Sequence, residues 1–534
     1  MNKKILGLMI LATPLMANAQ AAFDALQLSQ QDLNGTARSM SMAGAFGALG
    51  GDLSTLGQNP AGIGVYRSSD TGITMSLNFN SSKSDSKNSI NQTEFNVPNF
   101  GYVGAMRLNS DVMPNLNWGV TFSRANSFKR RYTGTMNNIG NSVTNYIAGV
   151  TNSGNWNKND LAFTDVFNPY ESKGPSGSYA PWASILAYDA YLINPQSDGT
   201  NFQGLFANGT SGFGEYEVSE KGHIDEYNFS LGGNLANVLY WGIGVGINDL
   251  DYRSYSYYGE SLQNALVNDN SADIGALVNG AADFGFQNYL STTGTGYNFK
   301  MGFSLKPVSE LRIGFAFHTP TYYELKDAYY ANASFQMAGN GFNYNGDKET
   351  NSGDTRYDIN TPWRFIGSVA GVIGQQGILS LDYEYVGNET MRILDMDGNE
   401  YLDATNEIKS YFKPTHIVRI GGEYRIDQNW SVRAGYAYKT SPVKDEVKNN
   451  QTGIVTASTT PAYQFDKNTQ YVTLGLGYHY KSLYFDLAYI HKARKSEFHA
   501  FSPATYGDSG YYAGNIGTIT DNQNRMACTF GIRF

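Results

Sequence analysis

Six histidines are the side chains best suited to activating a nucleophile or a water: His223, His318, His416, His479, His491 and His499. Such catalysis needs a second group within hydrogen-bond reach. Each histidine stands alone, with no His-Glu-x-x-His, Gly-x-Ser-x-Gly or Walker loop in the chain. Cys528 is the one cysteine; it cannot form an internal disulfide and reads as a small buried apolar residue. The sequence therefore predicts no enzyme, no metal site and no cofactor. What remains is binding chemistry. Arg312, Arg419 and Arg433 would suit a carboxylate headgroup, or would pair with acids such as Asp382, Glu384, Glu423 and Asp486. Two apolar stretches would line a ligand groove or form the core of large loops. One holds Trp182, Ile185, Leu186 and Tyr188. The other holds Leu262, Ala265 and Leu266, then Ile274, Ala276, Leu277 and Val278, at roughly helical spacing.

Composition restricts what can position these groups. The 534 residues include 59 Gly, 39 Tyr and 29 Phe, with 16% charged residues and a mean hydropathy of -0.38. No run of about 20 apolar residues exists, so no helix spans a bilayer. An aromatic content of 14% is too high for disorder, and a net charge of -9 argues against nucleic acid. The length suggests several domains. Residues 1–19 read as a secretory signal: Lys3 and Lys4, an apolar stretch from Ile5 to Met16, then Ala17-Asn18-Ala19. No Cys follows the cleavage site, so no lipid anchor is expected.

From Thr71 onward one pattern repeats, about ten residues alternating apolar with polar or small. In the last segment Met526, Cys528, Phe530, Ile532 and Phe534 share one face, and Arg525, Ala527, Thr529, Gly531 and Arg533 the other. The pattern predicts fourteen strands, at 71–80, 97–108, 116–125, 222–233, 239–251, 293–306, 310–319, 361–371, 376–386, 414–426, 429–439, 468–480, 482–493 and 524–534. Connectors alternate strictly between short and long. The long ones are 81–96, 126–221, 252–292, 320–360, 387–413, 440–467 and 494–523. Short turns on one side and long loops on the other mark a bacterial outer-membrane barrel with an even strand number. Aromatic residues at strand ends, and an outward aromatic at the terminus, favour this over a soluble sandwich. The expected architecture is thus an all-β, antiparallel transmembrane barrel of about fourteen strands over 71–534. Both termini would be periplasmic.

Residues 20–70 break the strand rule. Ser39 to Gly51 is rich in small residues, including Gly44 and Phe46, and is followed by Asn59-Pro60-Ala61-Gly62. Small side chains suit close packing in a confined space, and Asn-Pro starts a turn. This segment is expected to fold back as a plug, the alternative being a periplasmic tail.

At this point the chain resembles the FadL/TodX family of outer-membrane transporters of long-chain fatty acids and other hydrophobic compounds. The resemblance rests on the small-residue segment running into Asn59-Pro60-Ala61-Gly62, then Phe317-His318-Thr319-Pro320, Thr361-Pro362-Trp363-Arg364, Leu381 to Tyr385, Val418 to Arg425 and Ser431 to Tyr438. It implies that the plug is a hatch and that a hydrophobic ligand docks among the loops, then moves to a pocket near the hatch. It also implies lateral exit through a gap made by a kinked third strand, where Gly119 is the residue that favours a kink. The implied partners are the ligand, outer-membrane lipid, and periplasmic chaperones with the barrel assembly machinery, which would read Phe534 as its signal. A monomer is expected. Two other readings stand beside this one. A haemin receptor would need a loop His or Tyr ligand, and a polar porin or adhesin would need an open pore.

Overall fold

In the computed structural model, residues 22–85, 89–196, 201–269, 277–374, 376–456, 459–505 and 511–534 are described. The expected signal at 1–19 lies outside them, as do Ile274 and Ala276. Fourteen strands form the wall. They are β1 (Asp70–Ser84), β2 (Ser89–Arg107), β3 (Asn115–Ser127), β4 (Ser211–Leu235), β5 (Leu239–Asn268), β6 (Leu277–Val308) and β7 (Leu311–His318). There follow β8 (Arg364–Ile373), β9 (Gly377–Val386), β10 (Thr415–Arg425), β11 (Trp430–Lys439), β12 (Tyr463–Tyr480), β13 (Leu483–His499) and β14 (Ile516–Arg533). Each pairs antiparallel with its neighbours, and β14 closes on β1 with Asp70 opposite Arg533. Every expected strand is present.

The direction of the faces separates a membrane barrel from a sandwich. Leu381 on β9 is 49% exposed while its neighbour Asp382 is fully buried. On β14, Met526, Phe530 and Ile532 face out while Arg525 and Thr529 face in. The apolar side is thus the outer one and the polar side lines the lumen, as a lipid-solvated barrel requires.

The wall is much taller than the sequence pattern implied. β5 has 30 residues and β6 has 32, about 100 Å along the strand, whereas about ten residues suffice to cross. Much of what was expected to be loop is wall: 252–268 and 277–292 belong to β5 and β6, and strands Tyr322–Gly339 and Gly353–Asn360 continue β7 and β8 outward. The apparent helical spacing of Leu262 and Ala265 comes from a β-bulge. Asn264 takes φ of +54°, the register with β6 shifts between Gln263 and Ala265, and both apolar residues thereby face inward.

Loop 126–221 is also partly wall, through strand Arg130–Met136 and the start of β4. Its remainder carries helices Val143–Ser153, Lys158–Leu161 and Trp182–Asp189. These pack with Leu262, Phe284, Phe335 and Phe501 into an apolar core that caps the long-loop end.

Candidate functional site

Residues 22–66 run through the lumen from the long-loop end to the short-turn end. Phe534 lies at the short-turn end, while the first described residues reach the opposite mouth. There the helix Ala22–Leu28 sets Phe23 among Phe412, Tyr463 and Tyr411, with ring centroids 5.2, 5.3 and 6.0 Å away. Below it, Asp32 accepts from Tyr471 at 2.7 Å and from Lys492 at 2.9 Å. Burial alone would raise this carboxyl, but Lys492 and Arg525 outweigh it and hold Asp32 well below the carboxylate range. The short helix Ala37–Ser41 is capped by Thr36, and its Arg38 pairs with Glu423 at 2.9 Å. The segment leaves the lumen where Ser69 and Phe534 exchange backbone hydrogen bonds of 2.9 and 3.0 Å.

The Asn-Pro motif is the deepest turn of this column. Asn59 caps the 3-10 turn Pro60–Val65: its Oδ1 accepts from the Ala61 N–H at 3.1 Å, and Pro60 fills the first position, where no N–H is needed. Its Nδ2 donates to the Gly47 carbonyl at 2.6 Å, tying the motif back to the small-residue segment. Gly62 lies against Gly50 with no room for a side chain, and Gly44 takes φ of +75°. Phe46 is fully buried, under the Arg38 guanidinium. The wall supplies matching gaps. A Cβ at Gly302 would meet the Asn59 side chain, one at Gly242 the Pro60 carbonyl, and one at Gly421 the Met42 backbone. Much of the glycine excess therefore makes a socket for this segment.

Polar wall residues hold the backbone of the column. Asp382 accepts from the Gly47 N–H at 2.9 Å and from Gln58 at 3.0 Å, His318 reaches the Gln58 carbonyl at 2.8 Å, and Asn117 donates to Ile63 at 2.8 Å. Among the expected headgroup arginines, Arg312 donates to the Leu49 carbonyl, Arg419 pairs with Glu384 at 2.5 Å, and Arg433 bridges Glu423 at 2.5 Å and Asp486 at 2.6 Å. All three are engaged, two of them with the lumen acids named above.

Above the column lies a cavity of 140 Å³ lined by Phe23, Tyr132, Tyr252, Leu290, Tyr463 and Phe498. Sequence reasoning missed these aromatics. Phe23, Leu26 and Leu28, at the start of the described residues, were the one readable signal. Trp182, Ile185, Leu186 and Leu262 sit instead in the cap core, with Tyr188 packed on its edge and Leu266 partly exposed beside it. The register of β3 runs unbroken through Gly119, and the space beside it is taken by Leu56 of the column. The irregularity is at Ala125, where the register with β4 shifts. Pairing between β2 and β3 stops at Asn99 and Ser123, and the following strand Arg130–Met136 stays with β4.

Residues 226–498, half of the chain, match the family described as outer membrane protein transport protein (OMPP1/FadL/TodX). The chain belongs to this family. Membership places it in the outer membrane, among transporters of hydrophobic compounds rather than in an enzyme family. Solved structures similar to it include a Pseudomonas aeruginosa FadL homologue, at 14% identity over 94% of this chain and 99% of that one, TM-score 0.49. The Pseudomonas putida toluene transporter TodX shows 12% identity with the same coverage and a TM-score of 0.45. The Ralstonia pickettii toluene transporter TbuX shows 15% identity, again with 94% and 99% covered, and a TM-score of 0.41. No curated protein matches the sequence.

Proposed function

We propose that this barrel takes up hydrophobic small molecules passively, with residues 22–66 as its hatch. The observation that carries this reading is one of continuity. The segment whose Asn59-Pro60 turn blocks the lumen also contributes Phe23, Asp24 and Gln27 to the lining of the aromatic cavity. A ligand pressing into that cavity pushes on the blocking segment itself. The cavity is of the size that holds a single benzene ring elsewhere, about 150 Å³. It suits one aromatic ring or the end of a long acyl chain, whose remainder would have to displace the helix Ala22–Leu28. Above Asn99 the backbone ladder between β2 and β3 ends among the described residues, and Pro98 lacks an N–H. Side chains such as Arg124 on Asn96 and Ser127 on Glu94 bridge the strands instead, and this weaker seam supports lateral exit into the bilayer. Phe534, outward and 64% exposed, supports a role as assembly signal.

The test is the barrel's own cargo. The full chain, extracted in detergent and analysed by mass spectrometry, should carry a bound fatty acid or other hydrophobic compound. Phe23→Ala should lower its occupancy several-fold. An empty lumen with large ion conductance would refute the reading in favour of a polar porin.

A further inference from the structure

The outer face of the tall wall changes character twice with height. Along β4 to β6 the lipid-facing band ends at an aromatic rim, where Tyr297 and Tyr322 lie 5.6 Å apart between ring centroids. Above it comes a polar belt: Asp249, Arg253, Thr293, Thr295, Glu324 and Lys326. Two of its cations are locally neutralised, Arg253 by Asp251 at 3.0 Å and Lys326 by Asp354 at 3.2 Å, while Lys221, opposite Arg253 on β4, is exposed with no ion pair among the described residues.

Eight residues above the rim, about 27 Å along the strand, tyrosines return. Tyr255, Tyr289 and Tyr330 are cross-strand partners, with centroids 5.1 and 4.4 Å apart, and form a ridge. Beyond the ridge is a depression of 390 Å³. Its floor includes the Tyr257 ring, which covers Gly259 and Gly285, where an added Cβ would come within 2.8 to 2.9 Å of the ring's Cζ. Glu215, Asp283, Gln336, Asn345 and Asp347 surround it, and the three acids form no ion pair among the described residues.

We propose that this outward face binds the neutral saccharide chains of the glycolipid that surrounds the barrel. A flat aromatic ring ringed by carboxylates and amides suits a pyranose: the ring meets its C–H face, the acceptors meet its hydroxyls. The depression is lined by unpaired acids and by no Arg or Lys, which disfavours phosphate-bearing sugars there. The face also continues the lipid-facing band upward, so what surrounds it is the saccharide layer of that same leaflet.

The experiment uses the full chain reconstituted in vesicles with lipopolysaccharide bearing long neutral O-polysaccharide, or with the same lipid trimmed to its phosphorylated inner sugars. Tyrosine nitration is read by mass spectrometry. Tyr257 and Tyr289 should be protected several-fold in the first vesicle and not in the second, and delipidated polysaccharide added to detergent-solubilised protein should reproduce the protection. Tyr257→Ala should weaken binding of that polysaccharide roughly tenfold, while Tyr257→Phe should retain it. Equal protection by the trimmed lipid, absence of protection, or protection that grows with protein concentration alone would overturn the proposal; the last would mark a contact between copies.

Discussion

Arg433→Met should destabilise the barrel by about 3 to 5 kcal/mol, the cost of removing one partner from a buried ion pair. Arg433 is 1% exposed and joins Glu423 on β10 to Asp486 on β13. Glu423 keeps a second cation, Arg38, but Asp486 has no other ion-pair partner among the described residues. The variant therefore strands a carboxylate that is itself 1% exposed. Replacing both partners, Arg433→Met with Asp486→Leu, should recover much of the loss, because the stranded charge goes with its partner. Urea titration of the folded band on a heat-modifiability gel measures both. A loss below about 1 kcal/mol for the single variant, the range of exposed pairs, would contradict the buried bridge.

Deleting residues 22–66 should have the second large effect. The wall closes on itself without them, since β1 begins at Asp70 and pairs with both β2 and β14. The deletion removes the only described chain that lies inside the lumen at the depth of Gly242, Gly302 and Gly421. Planar-bilayer conductance should rise by roughly an order of magnitude or more, toward that of an open porin. Discrimination between hydrophobic and small polar solutes should disappear with it. Unchanged conductance would mean that side chains of the wall, not the amino-terminal segment, close the passage.

How far the sequence carried the structure follows from the period of each signal. A two-residue alternation survives wherever one face meets lipid, so strands such as Leu379 to Tyr385 and Met526 to Phe534 were legible to within a few residues. Above the membrane no lipid enforces that contrast. Tyr255, Tyr257 and Tyr289 face outward while Tyr252 and Tyr258 are buried, and the strand reads as a loop. One bulge at Asn264 was enough to imitate a helix. The Asn59-Pro60 motif was legible because a cap, a fixed φ and small neighbours leave a local trace. Which acid each lumen arginine takes was not, because Arg433 and Asp486 are 53 positions apart and meet only across the intervening strand β12. The mouth cavity was equally hidden, being assembled from the amino-terminal helix, seven wall segments and the 440–462 loop.

If residues 22–66 are the gate, they must move for a hydrophobic molecule to pass. Gly47 lies against Ser368 on β8, and a Cβ at Gly47 would be 3.0 Å from that of Ser368, near enough for a disulfide after slight adjustment. With Cys528 replaced by Ser, the pair Gly47→Cys and Ser368→Cys would lock the hatch to the wall when oxidised. Uptake of a radiolabelled long-chain fatty acid, or of toluene as the single-ring probe, is then measured in cells before and after reduction. Uptake should fall near the barrel-free background when the bridge is closed and return when it is reduced. Equal uptake in the two states, with the bridge confirmed by mass spectrometry, would contradict it.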